Sequence, residues 1–156
     1  MILLFSTVAI SGCKKAKPEK EVTNTKAEQT ISEKPLPYFA STTTTLRLRK
    51  KPSTKAKKVK CNLYGPASRG LKKKGIKALP EDFTVKVIKR SAKKSKVGKR
   101  KDYWYKVIAS VPEDAEADHC FVSKDASKPA VAWVFGGFLE YLGQPGYFEK
   151  LYEDEP

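Results

Sequence analysis

A chain of 156 residues holds one ordinary domain with a tail or linker, so a single compact unit is expected and a multidomain array is not. The formal net charge of +15 is spread unevenly: residues 14–110 carry 29 Lys and Arg against 7 Asp and Glu, and residues 111–156 carry 3 against 10. This asymmetry fits a polyanionic partner, or basic and acidic parts that screen one another, and a solvated basic surface with nothing bound fits it equally.

Residues 1–10, MILLFSTVAI, are apolar apart from Ser6 and Thr7. The run is too short to cross a bilayer as a helix and has the length of a signal-peptide apolar region. It ends in Ile10-Ser11-Gly12-Cys13, which resembles the lipobox of bacterial lipoproteins: an aliphatic residue, two small residues and a cysteine. The resemblance implies that the Cys13 thiol takes a diacylglycerol, that cleavage falls just before it, and that the mature protein is lipid-anchored in the cell membrane or outer membrane, facing the periplasm or cell surface. A buried N-terminal strand with a chance cysteine is the alternative. Two features depart from the pattern: no Lys or Arg precedes the apolar run, and Lys14, Lys15 and Lys17 follow Cys13 directly. The expectation is a natural start upstream that carries the missing charge.

Residues 13–37 read as a flexible tether. Between positions 14 and 36 they are rich in Lys, Glu, Thr and Pro and contain no aromatic residue, too little apolar surface to offset the entropy of ordering. Aromatic and β-branched residues then cluster from Tyr38 onward, and residues 38–142 are expected to form an all-β domain. A threonine run at 42–45 leads into Leu46-Arg47-Leu48-Arg49, whose alternation predicts a half-buried strand ended by Lys50-Lys51-Pro52-Ser53. A short strand over 59–63 is followed by a Gly- and Lys-rich insertion over 64–77. After Ala78-Leu79-Pro80-Glu81-Asp82 comes a strand over 83–89 with Phe83, Val85 and Val87 on one face. Residues 90–101 form a lysine-dense loop, a long hairpin tip. The next strand, 103–109, sets Tyr105 and Val107 on one face and Trp104 and Lys106 on the other. A second insertion over 110–129, acidic from Glu113 to Asp118, precedes a strand over 131–135. The Gly136-Gly137 pair permits a tight turn, Phe138-Leu139 closes the sheet, and residues 143–156 are an acidic, aromatic tail.

Three of these stretches carry a second resemblance. LRLRKKPS at 46–53, Trp104-Tyr105-Lys106-Val107, and AWVFGGFLE at 132–140 are similar to the first strand with its Pro-Ser turn, the aromatic-pair strand and the closing segment of the bacterial SH3-like domain. Ala132 stands where that family commonly has glycine. The likeness covers residues 42–141 with two insertions, and it implies a small SH3-like barrel whose closure removes exposed sheet edges.

Cys61 and Cys120 form an even pair in a chain read as exported, which predicts a disulfide, with two free buried thiols as the alternative. Asp118-His119-Cys120 invites a metal or catalytic reading. His119 is the sole histidine, adjacent residues rarely converge on one ion, and a structural zinc site needs further Cys or His ligands. Neither catalysis, a metal nor a cofactor is expected. Tyr64, Tyr103 and Trp104 are candidate ligand contacts, since SH3-like barrels bind peptides or glycans through aromatics; core packing is the competing use. The basic tip, Lys93, Lys94, Lys96, Lys99, Arg100 and Lys101, suits an anionic polymer. The expected role is a non-catalytic binding or scaffold module for peptidoglycan, anionic envelope polymer or an envelope protein. A basic nucleic-acid-binding protein, which export argues against, and a targeting accessory of a separate cell-wall hydrolase are the alternatives.

Overall fold

Hydrophobic residues at alternate positions drive the central strands, and a second set of strands arises where the sequence shows no alternation at all. The structure is a computed structural model that describes residues 34–65, 73–114, 117–147 and 150. The expected signal peptide, lipidated Cys13 and most of the tether lie outside the described residues, as does most of the tail. Among the described residues no helix is long and apolar enough to cross a membrane.

The fold is all-β. Twelve strands are described: β1 (Tyr38–Thr42), β2 (Leu46–Arg47), β3 (Cys61–Tyr64), β4 (Lys73–Ile76), β5 (Ala78–Leu79), β6 (Thr84–Arg90), β7 (Ser95–Val97), β8 (Arg100–Asp102), β9 (Trp104–Ile108), β10 (His119–Phe121), β11 (Val131–Phe135) and β12 (Leu139–Gly143). The main sheet has the order β11-β9-β6-β1-β12 with every neighbouring pair antiparallel. β2 pairs with β5, β7 with β8, and β10-β3-β4 form a third unit.

Period two places Val85 and Val87 of β6, Tyr105 and Val107 of β9 and Ala132 and Val134 of β11 on one buried face. Leu46, Leu48, Leu79 and Phe83 meet them from the β2–β5 side, and Cys61, Leu63 and Cys120 from the three-stranded sheet. Leu46 and Leu48 are buried while Arg47 is exposed, as their alternation predicts.

β1 is one of the strands the sequence reading did not place. Tyr38 and Ala40 face the main core, while Phe39 joins Val111 in a smaller cluster with Leu142 and Tyr147 packed on it. With both faces covered, a strand has no apolar and polar alternation to read. Its last residue, Thr42, is buried and clamps the turn before β6. Its hydroxyl donates to the Pro80 carbonyl at 2.6 Å and accepts the Phe83 N–H at 2.9 Å.

The main sheet is strongly curled. Four consecutive antiparallel pairings make its two edges, β11 and β12, run in the same sense, and flat strands spaced about 4.8 Å apart would hold those edges about 19 Å apart. Yet only the 3-10 turn Gly136–Phe138 separates them, and four residue steps reach at most about 14 Å. The expected closed barrel is not found. Among the described residues the outer edge of β11 is met by an isolated bridge, in which Arg49 and Trp133 exchange N–H···O bonds of 2.9 and 2.8 Å.

Both insertions contain strands. β4 lies in the first and β10 in the second, and both pair with β3. The predicted disulfide is present between Cys61 and Cys120, with Cα atoms 5.6 Å apart and a sequence separation of 59 positions.

Candidate basic hairpin site

The lysine-dense segment between β6 and β9 is itself a hairpin. Ser95 pairs with Asp102, Lys96 with Lys101 and Val97 with Arg100, leaving Gly98 and Lys99 as a two-residue loop. Gly98 has φ of 60°, the left-handed geometry that a glycine supplies at the first position of a tight hairpin turn. Ser91 fixes the base: its N–H donates to the Trp104 carbonyl at 2.8 Å, and its Oγ accepts the Trp104 N–H at 3.0 Å and donates to the Lys93 carbonyl at 3.0 Å. The hairpin therefore leaves the main sheet in a set direction.

Its cations are ordered by aromatic faces. The Arg90 guanidinium lies 4.6 Å and the Lys94 ammonium 5.3 Å from the centre of the Tyr103 ring. Arg100 lies 4.7 Å from the Phe138 ring and donates to the Gly137 carbonyl. Cation–π contacts of this kind contribute about 0.5–1 kcal/mol at exposed sites, and they hold charge in place without neutralising it. Lys93, Lys96, Lys99 and Lys101 are exposed and pair with no carboxylate among the described residues. The one acid of the hairpin, Asp102, accepts the Tyr103 N–H at 2.6 Å. Lys96 and Lys101 stand directly opposite one another, a like-charge pair that weakens the ladder. A hairpin selected for stability alone would avoid it.

Compared with known proteins, the chain matches no family model, no curated protein and no solved structure.

The structure gathers only part of the expected site. Tyr103, Lys93, Lys94, Lys99 and Arg100 belong to the hairpin and its base. Trp104 is 4% exposed, and its ring packs edge-on against Phe135 with centroids 5.6 Å apart. It presents no face to a ligand, because Phe135, its register partner on β11, covers the outward side that alternation assigns to it. Tyr64 sits on β3 in the three-stranded sheet, edge-on to Phe121 at 5.6 Å, its hydroxyl donating to the Lys124 carbonyl at 3.0 Å. Arg90 and Phe138 are residues that sequence reasoning missed. The signal for Arg90 was its place at the end of β6, where a cation meets the aromatic that begins the return strand.

The Asp118-His119-Cys120 run is divided among three roles. Cys120 is in the disulfide, the His119 Nδ1 lies 3.2 Å from Ser110 Oγ, and Asp118 Oδ1 is buried without a hydrogen-bond partner among the described residues. No group of three metal-ligating side chains is found among the described residues.

Proposed function

We propose that the chain is a membrane-anchored envelope lipoprotein whose SH3-like domain is a non-catalytic binding module, and that the β7–β8 hairpin grips anionic envelope polymer. The observation that carries this reading is the hairpin's charge. Arg90, Lys93, Lys94, Lys96, Lys99, Arg100 and Lys101 stand within twelve residues with no acid among them, and two of the cations on Tyr103 and Phe138 are arginines. A guanidinium already held on a ring has less freedom to lose, so its immobilisation costs less on binding. The curl of the main sheet and the 3-10 turn between its last two strands support the SH3-like reading, and the lipobox-like Ile10-Ser11-Gly12-Cys13 supports the anchor.

Retention on purified cell wall tests the hairpin. The full chain is expected to bind at low salt and to be released at high salt, where exposed charges are screened within a few ångströms. Neutralising Lys93, Lys94, Lys96, Lys99 and Lys101 to Gln is expected to lower retention at least tenfold. No retention at low salt, or equal retention by the neutralised variant, overturns the assignment; retention on nucleic acid and not on wall replaces it with the nucleic-acid reading. Labelled-palmitate incorporation, lost in Cys13→Ala, tests the anchor.

A further inference from the structure

A second basic feature lies in the three-stranded sheet, where an open cleft of about 410 Å³ is lined by Lys60, Cys61, Asn62, Lys74, Gly75 and Lys124 together with one apolar neighbour. Its volume falls in the range of small-ligand sites. The cleft is built by a β-bulge. Cys61 pairs with Ile76 and Leu63 with Lys73, so that Lys74 and Gly75 together oppose Asn62 alone. Gly75 meets the bulge's demand with φ of 69°. Bulges re-aim side chains, and this one puts Lys74 on the cleft.

Asn62 is held from both sides. Its Oδ1 accepts the Gly75 N–H at 3.2 Å and its Nδ2 donates to the Ser123 carbonyl at 3.5 Å. An amide nitrogen has two N–H groups, so one remains for a ligand. Cys61, in the lining, is bonded to Cys120 of β10, which keeps the segment bearing Lys124 against the segment bearing Lys60. The lining contains three lysines and no carboxylate.

We infer that this cleft binds a phosphate group, free or as an ester. Ammonium groups act as compact point charges that several oxygens of one anion can share, and the Asn62 amide adds a neutral donor. The inference stands apart from the hairpin reading, since none of its residues belongs to the hairpin.

The test is an NMR titration of the full chain with inorganic phosphate and, separately, glycerol 3-phosphate, against sodium chloride at matched ionic strength. Saturable shifts are expected at the Gly75 backbone amide and the Asn62 side-chain amide. The exposed double variant K60A/K74A is expected to bind at least tenfold more weakly, while K96A/K99A in the hairpin binds as the natural chain does. A response to either phosphate source supports the site, and the stronger of the two identifies the source. Shifts reproduced by chloride, shifts no larger at Gly75 than in the hairpin, or natural affinity in K60A/K74A overturn it.

Discussion

Replacing Cys61 and Cys120 together by Ala tests whether the two insertions are held by the disulfide or by their own pairing. With the cysteines 59 positions apart, the chain-entropy model gives a loop-closure entropy of about 14 cal/mol/K, or about 4 kcal/mol at 25 °C. Both cysteines are buried, so the lost sulfurs add a packing cost on the order of 1 kcal/mol. The ladder that remains between β10 and β3 is only three residue pairs long, too short to be stable alone. Urea unfolding of the oxidised natural chain against C61A/C120A is expected to show a loss of about 4–5 kcal/mol. It is also expected to show a larger denaturant slope, because the unfolded chain is released from its cross-link. A loss below about 1.5 kcal/mol with an unchanged slope would refute the reasoning, since packing of the insertions on the main core would then suffice.

Three further perturbations have defined outcomes. In Gly136→Ala a Cβ would overlap the ring of Tyr105, which is itself locked in the core, and overpacking of this kind is expected to cost about 2–3 kcal/mol in urea unfolding; a change below about 0.5 kcal/mol counts against it. Thr42→Val keeps the shape but strands the Pro80 carbonyl and Phe83 N–H, with an expected loss of about 2 kcal/mol, while Thr42→Ser retains most of the stability. Burial, then the neighbouring Tyr105 hydroxyl, raises Tyr38 beyond the usual tyrosine range; burial, then the charge of Asp102, pushes Tyr105 up to about 12. Both protons are kept in the folded state where an unfolded tyrosine releases its own near pH 10. The stability they confer is thus complete below about pH 10 and falls as pH rises toward 12. Alkaline absorbance titration should show two late tyrosines of the seven, and a single unshifted titration of all seven would contradict their burial.

What the sequence made legible was alternation. Phe83, Val85 and Val87, or Leu46 and Leu48, differ in polarity from their neighbours because one side of each strand meets water, and all five are buried as read. Where both sides are covered, as at Tyr38, Phe39 and Ala40, the pattern vanishes and β1 goes unseen. Pairing is harder to read than strand existence. The Gly- and Lys-rich and acidic insertions look like loops because β4 and β10 are only four and three residues long, too short to show a period. They become strands only by sharing β3, a partner distant in sequence. The cysteine count was the clue that these segments meet, since a bond between Cys61 and Cys120 requires β3 to lie beside the second insertion. The hairpin charge was equally visible. The rings that order it were not, because Phe138 reaches Arg100 through the tertiary fold.

The turn that curls the sheet also positions the cations. Gly136 donates its N–H to the Tyr103 carbonyl at 2.9 Å, Gly137 accepts from Arg100, and Phe138 lies under the Arg100 guanidinium. Three consecutive residues thus join the edge-to-edge connection of β11 and β12 to the base of the basic hairpin. Displacing Gly136 therefore disturbs packing and charge placement together. Gly136→Ala is expected to weaken retention on anionic polymer even under conditions where the variant remains folded. Thr42→Val, of similar cost, acts at the turn before β6 and leaves retention by the folded protein unchanged. Equal retention by the two folded variants would show that the hairpin binds by its net charge alone, with no contribution from the geometry that Tyr103 and Phe138 impose.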